Sequence, residues 1–358
     1  MKARLFIVNQ DTKATALANM EVSIKVPQPT GAQWNRTITD IVSDLMQVAI
    51  GDYIFLWESG TENIYGVYRA ISNAYYVPGT HDDFLFRIKI DTAYSFDLPI
   101  SEYAIINDPY MKNKLWNIIG KKVAGKSRGT TPLSPEETQF LIQSLIDINN
   151  NYTYTGGYTI HTPSLPNVEI QFDLVNPYSN STPTSLSAYA YAPIKVRERS
   201  EVHFEKALEG ILNYLIKTRN SHKLSMLNIP IDNILWYANY LPYGLERSEI
   251  DYMIMESVDT VNVNKIDVIE LMKSIIDVDH IRRCLQYAKW VSDSITNGKN
   301  IVRPILICGS KSLTSTKGFS NTDIQNALTM LPQEYGFNSV DVYTYELDGT
   351  DINFTQYP

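Results

Sequence analysis

The chain has 358 residues, of which 44% are hydrophobic, and its formal net charge is −8. This length exceeds what one ordinary hydrophobic core supports and predicts two domains. The negative charge excludes binding of nucleic acid by bulk electrostatics, but it is compatible with a local basic groove. No apolar run approaches the roughly 20 residues of a membrane span, and the N-terminus is typical of a first strand and not of a signal peptide. We therefore expect an intracellular, cytoplasmic protein of prokaryotic type without a membrane partner.

Strand and helix patterns alternate over residues 1–150, which indicates a first domain with mixed α/β structure. Ser134 as N-cap, Pro135 at the first helical position and Glu137 at the third predict a helix that runs to residue 148. The other predicted elements are a helix at 38–49, strands at 5–8, 53–57, 64–71 and 84–90, and a short apolar segment at 115–123.

A set of aromatic and polar residues in this first domain resembles the EVE and YTH-like branch of the PUA superfold. Gly51-Asp52 opens a strand that ends in Trp57-Glu58-Ser59, a glycine-containing strand follows, and a late helix starts after Thr131. The resemblance implies a PUA-like β-barrel with helices that holds a flipped, often modified base. It assigns stacking and hydrogen bonding to Trp34, Trp57, Asn9, Asn35 and Ser59. Strand alternation places Trp57 on the same face as Tyr53 and Phe55, so the sequence does not decide whether Trp57 lines the pocket or packs in the core.

A basic run without any acid extends from residue 110 to residue 135. In an acidic protein this run is the best candidate for contact with phosphates, and the alternative is a solvated turn region. The residues concerned are Lys112, Lys114, Lys121, Lys122, Lys126 and Arg128. Residues 151–198 are rich in turn formers and nearly uncharged, which predicts a linker with room for one hairpin near 158–175.

Residues 199–358 predict a second α/β domain. Helical spacing covers 201–216, 279–296 and 320–331, and strands are expected at 234–240, 249–255, 265–273, 303–308 and 340–347. Cys284 and Cys308 lie in apolar surroundings and are expected to be free cysteines of the core. His280 and the scattered remaining histidines do not make a zinc site.

Two acids on neighbouring predicted strands, Asp251 and Glu270, are the main functional signal of this domain. A carboxylate in an apolar strand is costly to bury without a partner, and two converging carboxylates can hold a divalent metal. With Lys273, they resemble the core of PD-(D/E)XK nucleases over about residues 200–310. The resemblance implies that Asp251 and Glu270 bind Mg²⁺ or Mn²⁺ and that Lys273 orients a water. It also implies that Glu205 completes the metal shell through a water, with Glu209 and Glu201 as fallbacks, and that Gln286 positions Lys273 or a phosphate.

The spacing of the lysine departs from the family pattern of acid-x-lysine. In Glu270-Leu-Met-Lys273 a regular strand sends the acid and the lysine to opposite faces. A bulge at Leu271 or Met272 would bring them together. Without a bulge, Asp267 shares the face of Lys273.

Together the two resemblances predict a modification-dependent DNA endonuclease, similar to type IV-like restriction enzymes. Its partner would be double-stranded DNA with a modified base, RNA not being excluded, and cutting both strands would require a homodimer. Two alternatives stay open: a non-catalytic nucleic-acid-binding protein with a degenerate nuclease fold, and a mismatch or lesion repair endonuclease.

Overall fold

The computed structural model divides the chain into two compact units, Met1–Tyr189 and Ala190–Pro358. The division falls inside the segment 151–198 that the sequence predicts as a linker. The structure describes residues 2–25, 40–77, 84, 86–124, 129–161, 184–185, 205–243, 248–259, 262–273, 276–309, 322–348 and 351–357.

The N-terminal unit is built on a curled mixed sheet with the strand order β11-β5-β6-β4-β3-β1-β9. Two further strands join it, since β2 pairs with β6 and β8 pairs with β4. β1 and β3 are parallel, and the other described pairings of this sheet are antiparallel. Its strands are β1 Ala3–Val8, β2 Glu21–Ile24, β3 Tyr53–Glu58, β4 Asn63–Ala70, β5 Tyr75–Tyr76, β6 Phe86–Thr92, β8 Ile100–Ser101, β9 Thr130–Leu133 and β11 Thr184–Ser185.

Helices cover one face of this sheet and close the core of the unit. They are α1 Gln10–Asn19, α2 Glu102–Asn107, α3 Pro109–Lys114, α4 Trp116–Ala124 and α5 Pro135–Ile148, and residues 40–46 are also helical. Leu5 and Phe55 of the strands pack in one buried cluster with Ile118 of α4 and Leu141 of α5. The predicted start of α5 is confirmed: the Glu137 amide donates to Ser134 Oγ at 3.2 Å, and the Ser134 amide donates to Glu137 Oε2 at 2.9 Å.

The first residues of the predicted linker are part of the N-terminal unit. β10 (Tyr152–Tyr154) pairs with β7 (Tyr94–Phe96) in a separate two-stranded sheet, and the rings of Tyr94 and Tyr154 lie 4.7 Å apart. Arg69, which is 6% exposed, donates to the carbonyl oxygens of Thr155 and Gly156 at 3.5 and 3.2 Å. The linker prediction is therefore wrong for this stretch. These contacts could not be predicted from local sequence patterns, because β7 and Arg69 are far from β10 along the chain.

The C-terminal unit contains a six-stranded mixed sheet in the order β12-β13-β14-β15-β16-β17. β12, β13 and β14 form an antiparallel meander, β14, β15 and β16 are parallel, and β17 returns antiparallel to β16. Its elements are α6 Lys206–Lys217, α7 Ser221–Ser225, a 3₁₀ turn Ile231–Asn233, β12 Ile234–Pro242, β13 Glu249–Glu256, β14 Lys265–Leu271, α8 Val278–Ser294, β15 Val302–Gly309, α9 Thr322–Glu334, β16 Asp341–Asp348 and β17 Asp351–Gln356.

The α/β layout predicted for this unit is confirmed, and its helices explain the burial of its strands. Leu208 and Ile211 of α6 pack against Tyr252 and Ile269 of the sheet. The structure adds β17, which the sequence analysis did not predict. Both cysteines are buried and free, as expected. Every described helix is too short or too polar to cross a membrane.

Candidate functional site

A cavity of about 590 Å³ lies in the N-terminal unit beside the end of β1 and the start of α1. Two of the residues that the sequence assigned to base binding, Asn9 and Ser59, line it. Asn9 caps α1, where its Oδ1 accepts from the Thr12 amide at 2.8 Å. The Ser59 hydroxyl donates to the Val8 carbonyl at 3.1 Å, which leaves the lone pairs of its oxygen for another donor. Two polar side chains are thus fixed at one wall of a concave site.

The lining of the cavity also includes a charged group that is already paired. Glu21 and Arg87 line the cavity, and Arg87 Nη1 lies 3.3 Å from Glu21 Oε2. Burial raises the pKa of Glu21, but hydrogen bonds from Lys89 and Tyr75 outweigh it and hold the pKa below its usual value. The Tyr75 hydroxyl donates to Glu21 Oε1 at 2.6 Å. Glu21 therefore stays ionised and contributes a fixed, neutralised edge to the cavity.

The remaining predicted base-binding residues fall elsewhere. Trp57 is 7% exposed and packs in the core with Tyr53, Phe55 and Ile64, and it is absent from the residues described as lining the cavity. The stacking role given to Trp57 is therefore corrected: alternation along β3 turns it to the face that the helices cover. Trp34 and Asn35 lie outside the described residues.

The predicted phosphate-binding run is largely outside the described part of the chain. Lys126 and Arg128 lie beyond it, and the side chains of Lys121 and Lys122 in α4 are not described. Lys114 forms an exposed ion pair with Glu136. The phosphate-contact prediction for this surface stays a prediction.

In the C-terminal unit, Asp251 of β13 and Glu270 of β14 are brought together. The antiparallel register pairs Tyr252 with Ile269, so that the two acids are neighbours at the next step of the ladder. Asp251 Oδ2 accepts from the Leu271 amide at 2.9 Å. Glu270 is 1% exposed. Two carboxylates from adjacent strands thus converge at one end of the β13–β14 ladder.

Glu270 is held in an unfavourable electrostatic environment. Burial and then the Asp251 carboxylate raise its pKa well above the usual value, against the opposing effect of Arg283. Arg283 of α8 donates from Nε to Glu270 Oε1 at 2.7 Å, and its Nη2 contacts the same oxygen. The other oxygen, Oε2, is buried and has no hydrogen-bond partner among the described residues. A buried polar atom without a partner is costly, and a ligand bound at this oxygen would offset that cost.

Glu205, the predicted helix acid, precedes α6 and lies in the same electrostatic field. Burial and then the Asp251 carboxylate raise its pKa to about 7. Lys206 and Glu209 follow in the first turn of α6, where Lys206 Nζ contacts Glu209 and lies 3.6 Å from Asp251 Oδ1. We call this set the open cluster; its members are Glu205, Lys206, Glu209, Asp251, Glu270 and Arg283.

Lys273 and Gln286 are not part of the open cluster. β14 ends at Leu271 in a regular register with both neighbours, so the described pairings contain no bulge that would turn Lys273 back. Lys273 is exposed, and its backbone carbonyl accepts from the Tyr345 hydroxyl. The strand stops before Lys273, and Gln286 is exposed one turn beyond Arg283 on α8. No contact of either side chain with the acids is described, and both assigned roles stay predictions.

The sequence analysis assigned no role to Lys206 or Arg283. Lys206 directly follows the predicted helix acid, which was the only available signal. His280 is part of the α8 capping box, with its Nδ1 2.7 Å from Asp277 Oδ1, and it does not approach the acids. Asp267, the alternative partner of Lys273, is buried and paired with Arg303. Contacts of this kind depend on how helices pack against strand ends, which spacing does not encode.

The described residues contain no group of three or more His, Cys, Asp or Glu side chains arranged for a metal ion. The open cluster offers two adjacent carboxylates, one of them with a buried oxygen that lacks a partner. Mg²⁺ is commonly held by one or two carboxylates while it keeps several waters. The donor set therefore fits Mg²⁺ or Mn²⁺ bound through Asp251 and Glu270 and not a complete protein cage.

No protein-family model matches this chain, and no curated protein matches it in sequence. Solved structures match its N-terminal two-fifths. Protein Rpa0253 from Rhodopseudomonas palustris is 15% identical, with 42% of this chain and 97% of that chain covered and a TM-score of 0.30. Human THYN1, solved with DNA containing 5-methylcytosine, is 11% identical, with 40% and 97% covered and a TM-score of 0.28. The Mmi1 YTH domain, solved with RNA, is 14% identical, with 40% and 79% covered and a TM-score of 0.26. At these TM-scores the matches carry no argument about function.

Proposed function

We propose that the C-terminal unit hydrolyses phosphodiester bonds of nucleic acid with Mg²⁺ or Mn²⁺ bound by Asp251 and Glu270. The observation that carries this proposal is the buried Glu270 Oε2, which lacks a partner among the described residues and lies on the strand next to Asp251. A divalent cation would give this oxygen a partner and offset the repulsion between the two carboxylates.

The side chains of the open cluster have separable tasks in such a reaction. The Leu271 amide holds Asp251 Oδ2, and Arg283 holds Glu270 Oε1. A ligand would therefore bind at Glu270 Oε2 and at Asp251 Oδ1, where it would share the carboxylate with Lys206 Nζ at 3.6 Å. Glu205, with a pKa of about 7, is partly ionised at neutral pH and can accept a proton from the attacking water. The bound metal would polarise the phosphate and acidify that water.

The hydrolysis balances without a further reactant. The water oxygen forms a bond to phosphorus, and the bond from phosphorus to the leaving sugar oxygen breaks. One proton of the water passes to a base such as Glu205, and the leaving oxygen takes a proton from solvent. The products are a phosphomonoester and a hydroxyl end.

The second part of the proposal concerns the cavity of the N-terminal unit, which we assign to a flipped, modified base. Its volume of about 590 Å³ falls within the roughly 300–1,000 Å³ typical of ligand pockets. Asn9 and Ser59 supply polar atoms of fixed position that can read the edge of a base. Tethering such a reader to a nuclease would raise the local concentration of the nuclease only where the modified base is bound. Cutting both strands would require two copies of the chain.

The proposal is tested by cleavage of labelled nucleic acids with Mg²⁺ or EDTA. The panel holds unmodified DNA duplexes, duplexes with 5-methylcytosine, 5-hydroxymethylcytosine or N6-methyladenine, and RNA with N6-methyladenosine. Asp251→Asn should lower Mg²⁺-dependent cleavage by about 100-fold or more, because a ligand of the cation is lost. Asp348→Asn, an exposed acid of β16, is the matched control and should cleave like the wild type.

A non-catalytic binding protein is the second candidate, and two observations favour it. Lys273 is exposed away from the acids, and Arg283 already pairs with Glu270. Binding of a modified duplex without cleavage in Mg²⁺ or Mn²⁺ would support this candidate and overturn the hydrolase. Cleavage that ignores every modification would retain the hydrolase and remove the reader.

A further inference from the structure

The open cluster contains a lysine that the family pattern does not assign. Lys206 opens α6, and its side chain is 12% exposed. Its Nζ contacts Glu209 and lies 3.6 Å from Asp251 Oδ1. An ammonium group is therefore present where the carboxylates converge, although it comes from a helix and not from β14.

A buried hydrogen-bond chain fixes the position of this ammonium. Glu209 and Asn239 are both fully buried, and Asn239 Nδ2 donates to Glu209 Oε2 at 2.5 Å. The other oxygen of Glu209 contacts Lys206. Strand β12 thus positions Glu209, Glu209 positions Lys206, and Lys206 faces Asp251. A long, flexible side chain is thus held in one place by a buried carboxylate.

The backbone next to Lys206 is strained in the manner of a functional site. Tyr240, inside β12, has a φ of 56°, which is rare for a residue with a bulky side chain. Its ring lies 5.3 Å from Lys206 Nζ. Left-handed backbone at a tyrosine is costly and is concentrated at active sites, where surrounding contacts impose it. Here the conformation brings an aromatic face to the ammonium.

We propose that Lys206, and not Lys273, is the cation that stabilises the charge developing on the scissile phosphate, with Glu209 as its positioning residue. This inference rests on the proposed hydrolase function. In the family pattern the lysine stands two residues after the acid, and this chain has Met272 there. The ammonium group of Lys206, supplied by α6, would take the place of the lysine that this strand lacks.

The test compares Lys206→Met, Lys206→Arg and Lys273→Met in the full chain. Single-turnover cleavage of the labelled duplex panel should fall by about 100-fold or more in Lys206→Met, with partial recovery in Lys206→Arg. Lys273→Met should cleave within about threefold of the wild type. Hydrogen exchange of β13 and β14 checks that each variant is folded.

A second readout, calorimetric binding of Mg²⁺ without nucleic acid, separates chemistry from a merely structural role. An ammonium 3.6 Å from Asp251 competes with a divalent cation for that carboxylate. Lys206→Met should therefore bind Mg²⁺ at least as tightly as the wild type while it cleaves more slowly. Weaker Mg²⁺ binding by Lys206→Met would mean that Lys206 only supports the site, and it would overturn the inference.

The remaining outcomes separate a failure of the Lys206 inference from a failure of the proposed hydrolase function. Normal cleavage by Lys206→Met, or loss of cleavage in Lys273→Met, would overturn the role of Lys206 and leave the hydrolase standing. A wild-type protein that cleaves no member of the panel would overturn both.

Discussion

Two charged clusters occupy opposite ends of the same β13–β14 ladder, and they differ in how completely their acids are paired. The open cluster lies beyond the Tyr252–Ile269 pair, and the other lies at the Glu256–Lys265 pair. We call the second set the paired cluster; its members are Glu256, Lys265, Asp267, Arg303 and Asp341.

The difference is clearest in the two strand acids that meet an arginine. Asp267 accepts from Arg303 through both oxygens, at 2.8 Å from Nε to Oδ1 and 3.1 Å from Nη2 to Oδ2. Glu270 accepts from Arg283 through Oε1 alone. A bidentate pair satisfies the carboxylate and fixes its geometry. The one-sided pair leaves one carboxylate oxygen without a described partner, so a carboxylate–arginine pair is complete at one end of the ladder and incomplete at the other.

The largest expected effect comes from breaking the paired cluster. Arg303→Met leaves the fully buried Asp267 without its bidentate partner and should lower the free energy of unfolding of the C-terminal unit by about 3–5 kcal/mol. Hydrogen exchange of β14 and β15 in the full chain measures this loss. Arg282→Met removes an exposed pair with Asp279 and should change stability by less than about 1 kcal/mol. Equal losses of unfolding free energy in Arg303→Met and Arg282→Met would contradict the distinction between a buried bidentate pair and an exposed pair.

Replacing an acid of the open cluster should raise the free energy of unfolding and not lower it. Glu270→Gln replaces a buried carboxyl group, whose pKa is raised by burial and by Asp251, with a neutral amide whose oxygen can still accept from Arg283. We expect a gain of about 1 kcal/mol in unfolding free energy at pH 8, together with loss of Mg²⁺ binding by calorimetry. Glu346→Gln, at an exposed position of β16, is the control. Destabilisation by Glu270→Gln would show that this acid is structural, like Asp267.

The smallest effect concerns pH. Burial and the nearby Asp267 raise the pKa of Glu256 from 4.5 to about 7, although Lys265 opposes the shift. A raised pKa means that its contribution to stability is fully present below about pH 4.5 and is lost as the pH rises through 7. Urea unfolding of Glu256→Gln should therefore show a stability relative to wild type that improves as the pH rises from 4.5 to 8. A difference that does not depend on pH would contradict the raised pKa.

Local features of this protein were predictable, and long-range contacts were not. The capping box at Ser134 and Glu137 follows from neighbouring residues, and the convergence of Asp251 with Glu270 follows from two adjacent strands. The position of Lys273 depends on where β14 ends, which alternation does not reveal. The contact of Arg283 with Glu270 depends on the way α8 packs on the sheet. Contacts that are set by helix packing were therefore missed.

The contacts of Arg69 determine where the N-terminal unit can be cut. Its guanidinium is buried and donates to the carbonyl oxygens of Thr155 and Gly156. A truncation after residue 150 would remove both acceptors, and it would also delete β10, which pairs with β7. A fragment intended to report on base binding alone must therefore extend past these residues, and an end near Tyr189 retains them all.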